Sequence, residues 1–136
     1  MRTEKVRVEW LGEGEFRLED RAGFPIRMSQ PEGVNGADLL PLSLIGCAAW
    51  DVLAILVKQR QEVTGFEVEA TSERDEDLPW RFRRIRITYR IAGRNLEESG
   101  IRRAIALTEG KYCSIYATLK DAVELVSELE LTEASG

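Results

Sequence analysis

Cys47 and Cys113 are the only thiols of a 136-residue chain that has no histidine. The missing histidine removes a Ser-His-Asp triad, a Cys-His pair and imidazole metal ligation together. Thiols, carboxylates, arginines, lysines and tyrosines remain. The two cysteines lie far apart in sequence, so they form neither a Cys-x-x-Cys unit nor a zinc-finger spacing. Cys47 sits in "IGCAAWD", inside the longest apolar run of the chain. Two readings of it stay open: a small core residue or a reactive thiol. Asp51 follows four residues later and so shares a helix face with Cys47. A carboxylate in so apolar a helix is costly unless paired. An arginine or lysine, or backbone hydrogen bonds, should therefore reach Asp51, and the same cation would favour a thiolate at Cys47. Cys113, in "KYCSI", stands at the start of a helix, where the dipole and free N–H groups acidify a thiol. Core packing is its plainer reading.

The elements that must position these residues read as α+β within a single domain, 1–136. Val6, Val8 and Trp10 alternate with charged residues, and Phe16, Leu18 and the segment Phe24 to Met28 follow across glycine-containing turns. This predicts an N-terminal antiparallel meander. The loop "SQPEGVNG" leads into a helix from about Gly36 to Gln61 that is apolar on nearly every side, hence a buried central helix covered on more than one face. "VTGFEVEATSER" and the strand around Ile85, Ile87, Tyr89 and Ile91 predict a hairpin whose polar faces carry opposite charges. An amphipathic helix over 97–109, a further helix from about Ser114 to Val123, and the strand "VELVSELELT" complete a second sheet, expected to be antiparallel.

Hydrophobic residues make up 43% and charged residues 32% of the chain, which fits a folded globular protein. The formal net charge of −5 argues against a nucleic-acid or anionic-membrane surface. The arginines of "WRFRRIRITYR" fall on the solvent face of a strand opposite Glu67 and Glu69, so they are read as cross-strand partners of acids. The N-terminus has no apolar signal core, and the helical run is interrupted by Pro41, Ser43, Gly46 and Asp51. A cytoplasmic protein without a membrane span is expected, with its cysteines free or redox-active.

The run from "LLPLSLIGCAAWDV" to "RITYRIAG", followed by "RAIALTEGKYCSIYATLK", resembles the OsmC/Ohr family, and its OsmC-like branch in "GCAAWDV" with Asp51. The resemblance implies an intertwined homodimer in which two long helices lie buried between strands of both subunits. It implies thiol-dependent peroxidase chemistry on organic hydroperoxides, in defence against oxidative stress, with no cofactor and with dithiols, lipoylated proteins among them, as reductant. On this likeness Cys47 is the peroxidatic and Cys113 the resolving cysteine, joined in a disulfide by way of a Cys47 sulfenic acid. Arg27, in "FPIRM", matches the arginine that stabilises the thiolate; Arg17 and Arg21 compete with it. The family's orienting acid falls ten positions before the first cysteine, which here is Ala37, so Asp38 becomes the candidate acid. Two other readings accompany the peroxidase: a small-molecule binding or redox-sensing protein on the same fold, and a structural dimer with inert thiols.

Overall fold

The computed structural model describes residues 1–29 and 32–134. The chain divides into two compact units, Met1–Leu40 and Pro41–Gly136.

In the first unit, β1 (Arg7–Gly12), β2 (Glu15–Glu19) and β3 (Pro25–Ser29) form the expected antiparallel meander in sequence order. Alternation sets the register: Val8 pairs with Leu18, Trp10 with Phe16 and Leu18 with Ile26. Asp20 builds the second turn, its Oδ1 accepting from the N–H groups of Ala22 and Phe24 at 2.9 Å each. On its apolar side Val8, Trp10, Phe24 and Ile26 stay exposed, while Phe16, Leu18 and Met28 are half-buried. A 3₁₀ turn over Gly36–Asp38 follows, capped by Asn35, whose Oδ1 accepts from the Ala37 N–H at 3.0 Å.

The second unit holds most of helix α1 (Leu39–Lys58), the strands β4 (Glu62–Arg74), β5 (Phe82–Arg94) and β6 (Glu124–Glu133), and the helices α2 (Glu98–Leu107) and α3 (Ser114–Leu119). A π-helical turn over Thr108–Tyr112 joins the last two helices. The sheet order is β4-β5-β6. β4 and β5 are the antiparallel hairpin read from the sequence. β6 corrects the expected antiparallel sheet: it pairs with β5 in parallel, from Arg84↔Glu124 to Gly93↔Glu133. The α2–π–α3 connection is long enough for a crossover, and a crossover returns the chain in the same direction.

The arginines of β5 lie between acids of both neighbours. Arg90 reaches Glu67 and Glu69 of β4 and Glu130 of β6; Arg84 reaches Glu73 and Glu124. Each exposed pair contributes little, but the row neutralises the basic run and fixes strand register. Ile85, Ile87, Tyr89 and Ile91 of β5 form the core with Leu44, Ala48, Val52 and Leu56 of α1 and with Ile101, Ala104 and Ile105 of α2.

The stretch Gly36–Lys58 is long and apolar enough to cross a membrane by length and composition, yet one face of α1 belongs to the core shared with the sheet. Its other faces are not covered as the sequence predicted. Trp50 is 80% exposed and Val57 65%, with Leu42 and Leu53 also in solvent. One small sheet presents one surface to the helix, so within a single chain one stripe is buried.

Candidate functional site

The second unit brings Cys47 and Cys113 together. Cys47 is half-buried on α1, and Cys113 is buried at the start of α3; both are free thiols. Cys47 packs against the core cluster that contains Cys113, and after burial the nearness of Cys47 adds to the upward shift of the Cys113 pKa.

The π turn puts Cys113 in place. The Cys113 N–H donates to the Thr108 carbonyl at 2.8 Å, closing a five-residue turn. Such widened turns interrupt helices frequently at functional sites. Cys113 then caps α3, its Sγ accepting from the Tyr116 N–H at 3.4 Å. Thr108 is fully buried, and its Oγ1 has no hydrogen-bond partner among the described residues.

The helix start does not acidify Cys113, contrary to expectation. Burial pushes its pKa up to about 11, and the backbone N–H groups of Tyr116 and Ile115 offset only part of that. α3 is just six residues long, so its dipole is short, whereas the thiol is almost entirely removed from water. Cys113 is accordingly a protonated thiol at neutral pH.

Asp51 lies one turn beyond Cys47 on α1, as the spacing requires. The expected cation is missing: within its own unit Asp51 has no salt bridge and no hydrogen bond among the described residues. It is half-buried, so water reaches the carboxylate and removes the need for a partner that full burial would have imposed.

Arg27 and Asp38 belong to the first unit. Arg27 is exposed on β3, and its Nε donates to Glu15 Oε1 at 2.6 Å. The register places Glu15 diagonally across from Arg27, within reach of a long side chain. Glu15, and not Asp38, thus orients this guanidinium. Arg17 is held by Glu9 and Glu19, and Arg21 by Glu4. Asp38 is exposed at the end of the 3₁₀ turn, immediately before α1, where its charge suits the helix dipole.

Sequence reasoning did not pick out Glu109. It lies in the π turn, half-buried, and accepts from Tyr89 Oη at 3.2 Å and from Ser127 Oγ. Burial raises its pKa above the ordinary carboxylate range, outweighing these two hydrogen bonds. Tyr89 is fully buried, and its pKa is raised by burial and then by the Glu109 charge, with Cys113 a smaller contributor. The signal in the sequence was an acid four residues before a cysteine where a helix is interrupted.

Because the folded chain holds the Glu109 proton more tightly than the unfolded one, stability from this group is complete in acid and is lost as pH rises through the folded pKa. Glu109→Gln is therefore expected to raise Tm by a few degrees near pH 8, the gap closing toward about pH 4. Thermal melts of both proteins across that range check it; a pH-independent gap would count against a charged Glu109.

A family model described as OsmC-like protein matches residues 29–128. Protein YhfA of Escherichia coli (strain K12) is 35% identical over 133 residues, covering 96% of this chain and 99% of its own length. The crystal structure of a hypothetical protein from Aquifex aeolicus VF5 superposes with TM-score 0.87 at 30% identity, covering 99% of this chain and all of the other. The organic hydroperoxide resistance protein OhrB of Bacillus subtilis superposes with TM-score 0.61 at 17% identity, covering 94% of this chain and 98% of its own, a likeness of fold alone.

Proposed function

The chain belongs to the family of OsmC-like proteins, and on that premise we propose that it is a thiol-dependent peroxidase for organic hydroperoxides. The observation that carries this reading is the packing of the free Cys47 thiol against the core cluster that contains the free Cys113 thiol, inside one unit. In the first step the Cys47 thiolate attacks the terminal peroxide oxygen. The S–O bond forms, the O–O bond breaks, and the alkoxide takes a proton to leave as an alcohol. In the second step the Cys113 sulfur attacks the Cys47 sulfenic acid. The S–S bond forms, the S–OH bond breaks, and the Cys113 proton leaves with the hydroxyl as water. A dithiol then reduces the disulfide by exchange. Because the thiolate is the attacking form, Cys113 gives up its proton as it attacks, and that proton completes the water that leaves. Arg27, oriented by Glu15, is the proposed cation for the thiolate. A cytoplasmic setting, where thiols are kept reduced, goes with this cycle.

The test is turnover of cumene hydroperoxide with a dithiol donor. Equal rates for wild type and Cys47→Ser would end the reading. Asp51 without a cation in its own unit favours a second reading, a binding or redox-sensing protein in which Cys47 captures an electrophilic small molecule. Rapid labelling of Cys47 without hydroperoxide turnover would select it.

The peroxidase is proposed to work as a homodimer. In one unit Trp50 and Val57 of α1 are exposed, and in the other Val8, Trp10 and Phe24 of the meander are; exposed apolar patches mark interaction surfaces. Trp50→Glu is expected to halve the mass of the wild-type particle in size-exclusion chromatography with light scattering. A wild-type mass of one chain would overturn the dimer.

A further inference from the structure

Away from the thiols, the second unit has a polar cavity of about 340 Å³ where α1 turns into β4 and β5 turns into α2. Arg60, Arg94 and Arg103 line it from three different segments, with Glu62 and Glu97. Elsewhere in this unit Arg83, Arg84, Arg86, Arg90 and Arg102 each have an acid within 4 Å, while Arg74 and Arg81 donate to the backbone carbonyls of Trp80 and Ala122. None of the three cavity arginines has an acid that close among the described residues of the unit. The cavity thus carries one net positive charge in a chain whose net charge is −5.

The floor is built from side-chain amides hydrogen-bonded to backbone groups and to each other. Gln59 Nε2 donates to the Gly100 carbonyl at 2.9 Å, and Gln61 Nε2 donates to Gln59 Oε1 at 2.9 Å and to the Glu97 carbonyl at 3.2 Å. Gln61 Oε1 accepts from the Glu97 N–H at 2.9 Å. Gly100 is buried, and a Cβ there would meet Gln61 Nε2 at 2.9 Å and Gln59 Oε1 at 3.1 Å, so the glycine lets this amide lattice close. The lattice ties the α1–β4 corner to α2 and thereby sets the spacing of Arg60 and Arg103.

We propose that this cavity binds a small molecule through its phosphate group, held by the guanidinium forks of Arg60, Arg94 and Arg103. A planar fork matches a phosphate oxygen pair in two parallel hydrogen bonds. Forks from three segments enclose a tetrahedral oxyanion better than a flat carboxylate.

The experiment is isothermal titration of the full chain with inorganic phosphate, sodium chloride holding ionic strength constant and succinate run in parallel. One saturable site is expected for phosphate and weaker binding for succinate. Arg94→Ala combined with Arg103→Ala should weaken phosphate binding about tenfold or more, while Arg86→Ala, on the sheet, leaves it unchanged. Both substituted arginines of the cavity are exposed, so the fold is retained, which circular dichroism checks. No saturable binding at millimolar phosphate, tighter binding of succinate, or equal binding by the double variant would each overturn the proposal.

Discussion

Cys47→Ser is expected to lower hydroperoxide turnover by about a thousandfold or more, to the background of the assay. The magnitude follows from what serine lacks. Its hydroxyl is not ionised near neutral pH, and its oxygen cannot accept the peroxide oxygen to become an analogue of a sulfenic acid. The loss would not be one of folding. Cys47 is half-buried and serine has nearly the same shape, so melting should move by no more than about 1–2 kcal/mol. The measurement is consumption of cumene hydroperoxide by both proteins, with mass spectrometry of Cys47 after one addition of peroxide. A serine variant that keeps an appreciable fraction of the wild-type rate would remove Cys47 from the mechanism, whatever the family.

Cys113→Ser is expected to behave differently. It should consume one equivalent of hydroperoxide per chain and then stall, because the Cys47 sulfenic acid has no neighbour to condense with. Dimedone should trap that acid in the variant and fail to trap it in wild type. Cys113 is 2% exposed, so a serine hydroxyl there is a buried polar group costing about 1–3 kcal/mol if unpaired. Cys113→Ala, which buries no hydroxyl, keeps the kinetic result separate from that cost. Steady turnover by the alanine variant at the wild-type rate would mean that the dithiol reduces Cys47 directly and that Cys113 is not the resolving residue.

Much of this arrangement was legible in the sequence. Strand alternation set the meander and the hairpin, and the Gly36 turn and the apolar run located α1. The likeness around "GCAAWD" and "GKYCS" singled out the thiol pair, which the fold then brought together. What was not legible depended on tertiary placement. Alternation reports that β6 is a strand but not its direction, so the parallel pairing with β5 had to be seen. The helix-start position of Cys113 suggested an acidic thiol, but its burial, which decides the matter, depends on Leu44, Tyr89 and the rest of the core. Asp51 was judged by the apolarity of its neighbours in sequence, whereas its exposure is set by which stripe of α1 meets the sheet. Glu109 carried no motif; its role arises because Tyr89 and Ser127, from two different strands, converge on it.

The parallel return of β6 also bears on the order in which the molecule assembles. Its partners on β5 stand forty residues earlier in the sequence, as in the pairs Arg84–Glu124 and Arg90–Glu130. Pairings of that separation form late, since the intervening chain must be ordered before the contact returns any stabilisation. The segment to be ordered is the one that carries Cys113 and the π turn. The β4–β5 hairpin pairs residues much nearer in sequence, so it is expected to form ahead of the β5–β6 ladder.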